Sequence, residues 1–186
     1  MEKTLSTSRA TGGLRSVSNI VLLGALLGAG VVLKLVLGSF FTVMKPNFII
    51  AMYCVALLLI DMRMHEAIIV GLLAGIVCQF FPGTPYINLI SEPVGALAMY
   101  LLLKMPLRIK QLNMRPIIGT FISTLCSGFS YIGVLYLVLY AGLSVLATPL
   151  PLFLSIVFGT AFLNCIIVQA LYLPLNAVIK KRRGRN

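Results

Sequence analysis

Few residues in this chain have chemistry to offer. It holds four acidic side chains in 186 residues. Glu2 lies in a polar N-terminal stretch, and Asp61 and Glu66 flank Arg63 and His65 in what reads as a solvated loop. Glu92 is different. It falls inside an apolar stretch, with Lys34 and Lys45 as the only basic residues expected at a similar depth. A carboxylate withdrawn from water is costly unless it meets a cation or several donors. One acid and one base sharing a pocket suit a zwitterion, the carboxylate facing an ammonium and the lysine a carboxyl group. The competing arrangement is a Glu92–lysine ion pair that only ties helices together.

Uncharged polar residues fall near the same level on several segments: Asn47, Gln79, Asn88, Ser91 and Asn164, with Gln169 deeper. One buried amide often just bonds a neighbouring helix, whereas several at one depth favour a shared pocket. Asn88 precedes Glu92 by one helical turn, so the two share a face. Phe40, Phe41, Phe80, Phe81 and Tyr86 gather nearby. They either stack on an aromatic or apolar ligand or form an interfacial belt. The expected substrate-binding set is Phe40, Phe41, Lys45, Asn47, Gln79, Tyr86, Asn88, Glu92 and Asn164. In this reading Asn164 forms the floor, and Phe40 and Phe41 close over the ligand.

Catalysis finds little to build on. The sequence has no P-loop, no H-E-x-x-H and no G-x-S-x-G. His65 is the single histidine, so neither a histidine-based metal site nor a catalytic dyad is expected, and no cofactor is implied. Cys54, Cys78, Cys126 and Cys165 form no C-x-x-C pair, and each sits in an apolar stretch, where a thiol serves as a small buried side chain. The net charge of +11 would suit nucleic acid. However, the basic residues flank apolar segments, and the C-terminal run from Lys180 to Arg185 carries no interleaved aromatics.

The elements that must position these residues are helices in a membrane. Hydrophobic residues make up 60% of the chain and charged residues only 10%, against about 25% in soluble domains. That much apolar surface must be covered by lipid. The expected fold is an all-α integral membrane protein of six transmembrane helices, over residues 19–38, 48–60, 67–81, 87–103, 117–141 and 152–173, with a tail past Pro174. The second and third stretches are shorter than the ~20 residues of a flat crossing, and short or broken spans often lie beside a binding site. Pro82-Gly83-Thr84-Pro85 and Thr148-Pro149-Leu150-Pro151 punctuate two connections, and Pro46 opens the second span. Residues 1–18 read as a cytoplasmic tail, 19–179 as the membrane domain and 180–186 as a basic cytoplasmic tail. Thirteen of the 15 basic residues fall on one side of this topology, so both termini are expected in the cytoplasm.

The first span contains Gly24-Ala25-Leu26-Leu27-Gly28-Ala29-Gly30. Small residues four apart make a flat stripe that another helix can approach closely, either within the protein or in a partner.

At this point the chain resembles a known family. Six spans, cytoplasmic termini and this length look like the substrate-binding S component of an energy-coupling factor (ECF) transporter, and Ala25-x-x-x-Ala29 is similar to the motif by which S components dock. Within that group the chain most resembles the tryptophan transporter family. The residues that carry this are Met44-Lys45-Pro46-Asn47, Phe81-Pro82-Gly83 and Asn88-x-x-x-Glu92-Pro93-Val94-x-Ala96. The resemblance implies a bacterial cell membrane, a transmembrane T component and two partner ATPases. It also implies substrate capture at the outer face, and docking through Gly24, Ala25, Gly28 and Ala29. Toppling of the subunit in the membrane then releases the substrate inside. Tryptophan or a related small aromatic or zwitterionic nutrient is the expected cargo. The alternatives are a stand-alone secondary transporter or channel, in which Glu92 exchanges protons, and a membrane enzyme or structural assembly subunit.

Overall fold

The computed structural model describes residues 12–38, 47–84, 86–106, 108–109, 112–142 and 149–183. Among them are six α-helices: α1 (Val17–Leu37), α2 (Phe48–Leu59), α3 (Met64–Cys78), α4 (Asn88–Lys104), α5 (Arg115–Tyr140) and α6 (Leu150–Arg183). A 3-10 turn, Gly13–Arg15, precedes α1. Two two-residue strands, β1 (Arg108–Ile109) and β2 (Leu112–Asn113), pair antiparallel between α4 and α5.

α2 explains the bundle. Its sequence, FIIAMYCVALLL, is apolar on every face, the pattern of a helix with no solvated side. All twelve residues are buried, and the helix touches each of the other five. At 1.5 Å per residue it is ~18 Å long, short of the ~30 Å hydrocarbon layer. It serves as the central post of the bundle and is shielded from lipid by its neighbours. The outer faces are apolar as well: Val21, Val32, Leu35 and Val36 on α1, Leu72 and Ile76 on α3, and Phe162 and Ile166 on α6 are all exposed. Outward-facing side chains of this kind are suited to lipid. Three helices are long and apolar enough to cross a membrane by length and composition: Val17–Leu37, Arg115–Tyr140 and Leu150–Lys181.

Glycine lets α3 and α4 approach closely. A Cβ on Gly71 would lie 2.5 Å from Pro93 Cα, and one on Gly75 would lie 2.6 Å from the Asn88 carbonyl oxygen. The backbones of α3 and α4 therefore touch, and the pairing of 71 with 93 and 75 with 88 makes the two helices antiparallel. This contact holds Asn88 and Glu92 at a fixed height.

Two expectations change. α6 does not end before Pro174 but continues as helix to Arg183. A proline removes one backbone hydrogen bond, a loss that apolar surroundings and neighbouring helices accommodate. Glu66 is not in a solvated loop. It is 6% exposed, at the third position of α3, with Oε2 accepting the Arg63 backbone N–H at 2.7 Å and Oε1 accepting that of Leu14 at 2.9 Å. Asn19 Nδ2 donates to the Gly13 carbonyl at 2.8 Å, so the turn before α1 is tied down at both ends.

Candidate functional site

Glu92 is the fifth residue of α4 and is 1% exposed. Its carboxylate reaches two other helices and the cap of a third. Oε1 accepts Nδ2 of Asn47, the residue capping α2, at 3.3 Å, and lies 3.9 Å from the donating thiol of Cys78 on α3. Oε2 accepts the Ser127 hydroxyl of α5 at 3.2 Å. The Tyr53 hydroxyl lies beside the same carboxylate. All these partners are neutral, and the contacts are longer than the ~2.5–2.9 Å of strong charge-assisted bonds. Lys34 contributes to the field here, but its Nζ sits 4.3 Å above the centre of the Phe81 ring. Among the described residues no Glu92–Lys34 ion pair is formed, so the competing ion-pair arrangement is not met by this one of the two candidate lysines. Lys45, the other candidate, lies outside the described residues.

The carboxylate opens into a cavity of about 200 Å³. A single water needs only ~10–15 Å³ on this scale, so the space takes a multi-atom ligand. Four helices and the α2 cap build it. Asn47 and Ile50 come from the start of α2, and Asn88, Ser91 and Glu92 from α4. Thr124, Ser127, Gly128 and Tyr131 come from α5, and Phe153, Ile156, Val157 and Thr160 from α6. Gly128 is a glycine because a Cβ there would meet Val157 Cγ1 at 2.7 Å, and this lets α5 and α6 close the wall. The Tyr131 and Phe153 rings lie 5.9 Å apart, tilted by 39°.

Two buried atoms among the lining residues lack partners, Asn47 Oδ1 and Ser91 Oγ. The Asn47 amide turns its Nδ2 to the carboxylate, which leaves Oδ1 as an acceptor. With the two carboxylate oxygens of Glu92 this gives four oxygen acceptors on three neighbouring lining residues. An ammonium group brings three N–H donors to such a set. Tyr131, Phe153, Ile50, Ile156 and Val157 supply the apolar part of the wall, beside Asn88, Thr124, Ser127 and Thr160.

The sequence model described as tryptophan transporter TrpP matches residues 16–180. The chain belongs to the TrpP family of tryptophan transporters. It is accordingly a membrane-embedded, multi-pass transporter. Comparison with curated proteins gave no match, and neither did comparison with solved structures.

Of the residues expected at the site of this TrpP-family chain, Asn47, Asn88 and Glu92 come together in the cavity wall. Asn164 lies one turn below Thr160, fully buried, with Nδ2 donating to Thr124 Oγ1 at 3.3 Å. It sits under the floor rather than in it. Gln79 and Tyr86 do not line the cavity. Gln79 Nε2 donates to the Gly75 carbonyl at 3.0 Å, and its Oε1 accepts the Tyr86 backbone N–H at 2.9 Å, closing the α3–α4 turn where Tyr86 has a φ of 66°. Tyr86 itself is 72% exposed. Phe40 and Phe41 lie outside the described residues. The residues expected to dock a partner, Gly24, Ala25, Gly28 and Ala29, are all exposed, and nothing lies within 4 Å of a Cβ built on Gly24 or Gly28.

Sequence reasoning missed Ser127, Thr124, Thr160, Tyr131 and Phe153 as wall residues. One signal was available: Thr120, Ser123, Thr124 and Ser127 recur at i, i+3, i+4 and i+7 and mark a polar face on an apolar helix.

Proposed function

We propose that this chain is the substrate-capture subunit of an ATP-driven importer of the ECF type, and that it binds tryptophan or a closely related aromatic zwitterion in the cavity beside Glu92. The observation that carries the reading is a fully buried carboxylate that faces a cavity and has only neutral partners. An ammonium group docked against Glu92, Asn47 Oδ1 and Ser91 Oγ supplies the missing charge and the missing donors. The aromatic ring lies against Tyr131 and Phe153. Lys45, two residues before Asn47 in the chain, is assigned the ligand carboxylate, and Phe40 and Phe41 the closure.

The remaining parts of the reading rest on other observations. The asymmetry of basic residues supports six spans with both termini in the cytoplasm of a bacterial cell, and a cavity that opens outward. The outward stripe of Gly24, Ala25, Gly28 and Ala29, with open space beyond it, favours a partner helix over internal packing. That partner is the T component, with ATP hydrolysis residing in two further subunits.

Calorimetric titration of the purified chain in nanodiscs tests the site. L-tryptophan binds, tryptamine retains most of the affinity because it keeps the ammonium, and indole-3-propionate loses it. The reverse ranking of the two analogues overturns the assignment of Glu92. Reconstitution tests the coupling. Uptake requires the T component, the ATPases and ATP, and uptake by this chain alone under a proton gradient would establish the secondary-transporter alternative instead.

A further inference from the structure

A second hollow lies on the outside of the bundle, between α5 and α6. It is an open groove of about 520 Å³, more than twice the space beside Glu92. Ile117 and Phe121 of α5 form one bank, and Phe162, Ile166, Gln169 and Leu173 of α6 the other. The four α6 residues recur at i, i+4, i+7 and i+11, so they share one face. That face runs ~16 Å from Phe162 to Leu173 at 1.5 Å per residue, about one leaflet's share of a ~30 Å hydrocarbon layer. Phe162, Ile166 and Leu173 are each more than half exposed, so the groove opens to lipid rather than into the protein.

Its polarity rises toward one end. The Cys165 thiol donates to the Ile117 carbonyl at 3.3 Å, and a Cβ on Gly128 would meet Val157, so α5 and α6 are antiparallel, with Cys165 level with the first turn of α5. Arg115, the first residue of α5, lies ~3 Å beyond Ile117, and Gln169 lies ~6 Å beyond Cys165 in the same direction. The guanidinium-bearing residue and the amide therefore stand within one turn of each other in height. Arg108 pairs with Asn113 across the hairpin that leads into α5, which brings a second basic residue to this end of the helix. The chain supplies no counter-charge of its own from here on: between Pro93 and Asn186 it has nine basic residues and no acidic one. The opposite end, at Phe121, Phe162 and Ile166, is aromatic and aliphatic.

An apolar trough that leads to an amide and then to fixed positive charge has the polarity profile of a phospholipid, whose acyl chain leads to an ester and an anionic headgroup. Basic sites between transmembrane helices hold such headgroups. A partner helix matches less well, because helices approach closely through small residues, and both banks here carry Phe and Ile. We infer that the α5–α6 groove is a binding site for one anionic phospholipid, with an acyl chain lying between the two helices and the phosphate at the Arg115 end. The site is separate from the Glu92 cavity and does not depend on what that cavity binds.

Photolabelling of the full chain in nanodiscs tests it. The probe is phosphatidylglycerol with a diazirine in one acyl chain, diluted in phosphatidylcholine. Adducts concentrated several-fold at Phe121, Phe162 and Ile166 over Val21, Ile69 and Leu101, which are exposed on α1, α3 and α4, are the expected result. The same diazirine carried on phosphatidylcholine shows no such concentration. Even labelling of all faces by both lipids means bulk lipid only, and a groove labelled by neither means that a protein segment or a second copy covers it. Either outcome overturns the inference. Arg115→Gln gives a second reading. It weakens the preference for phosphatidylglycerol about fivefold, the effect of one basic residue at an anionic lipid surface, and Arg115→Lys restores it. A preference that survives Arg115→Gln unchanged places the headgroup elsewhere, and the inference fails.

Discussion

Glu66 and Glu92 are both buried acids on adjacent antiparallel helices, and they do opposite things. Glu66 is met by two backbone N–H groups at 2.7 and 2.9 Å, one from its own helix cap and one from Leu14, 52 residues earlier. Burial pushes its carboxyl upward, but those two donors, with His65 and Arg63 nearby, outweigh burial, and it titrates below its ordinary value of 4.5. Glu92 is met by side chains only, at 3.2 Å or more, and it borders an open cavity. A carboxylate saturated by short backbone donors has nothing left to bind with and fastens the chain, here the segment before α1 to the start of α3. A carboxylate given long, neutral side-chain contacts retains bonding capacity that a ligand can take up. Burial alone does not distinguish the two cases; the type and length of the partner contacts do.

The largest effect that would break this comparison is on binding. Glu92→Gln keeps shape and partners but removes the charge. A hydrogen bond to a charged group is worth ~1.5–3 kcal/mol, and ~1.4 kcal/mol is tenfold in affinity. Affinity for tryptophan should therefore fall about ten- to a hundredfold in calorimetry, with Tm held or raised, because a buried charge has been removed. Unchanged affinity with a sharply lower Tm would make Glu92 a fastener like Glu66.

The converse substitution is smaller and falls on stability. Glu66→Gln retains one acceptor oxygen and leaves one of the two backbone donors, Arg63 or Leu14, without a partner. The cost is ~1 kcal/mol, which lowers Tm by about 2–4 °C in a chain of this size, while tryptophan affinity stays as in the wild type. Lost affinity would mean that the two ends of the bundle are coupled and that the contrast is wrong.

The difference between the two acids also shows what could be read in advance. Helix number and most boundaries were legible, because apolar runs broken by Pro and Gly are local features. α2 was expected over 48–60 and occupies Phe48–Leu59. Glu92 stood out because an acid inside an apolar stretch is rare and costly, and Asn88 followed from helical spacing. Glu66 could not be read, since its burial depends on a backbone donor 52 residues away and its sequence neighbours, Arg63 and His65, look like a solvated loop. Tyr131 and Phe153 carry no local signal in the sequence; the α5–α6 contact at Gly128 puts them on one wall. Gln79 appeared to share the pocket's depth, but its two ends are taken up by Gly75 and Tyr86, a turn geometry that depth alone does not reveal.

The smallest expected effect is the pH dependence of the same fastener. Because the folded-state value of Glu66 lies below its ordinary value of 4.5, the unfolded chain takes up the proton first as pH falls. The stabilisation is therefore fully present above pH 4.5 and is lost as the pH drops through the lower, folded value. Glu66→Gln has no proton to take up there. The gap in Tm between wild type and Glu66→Gln should thus be constant in neutral and weakly acidic buffer and should narrow below pH 4.5. It cannot exceed the mutational effect itself, because the protonated carboxyl, like the glutamine amide, still offers one carbonyl oxygen to one backbone N–H. Melting curves of both proteins across that range, each with and without saturating tryptophan, make the test. A gap that widens on acidification would mean that Glu66 is held protonated in the folded protein, and the assignment of its two backbone donors would fall with it.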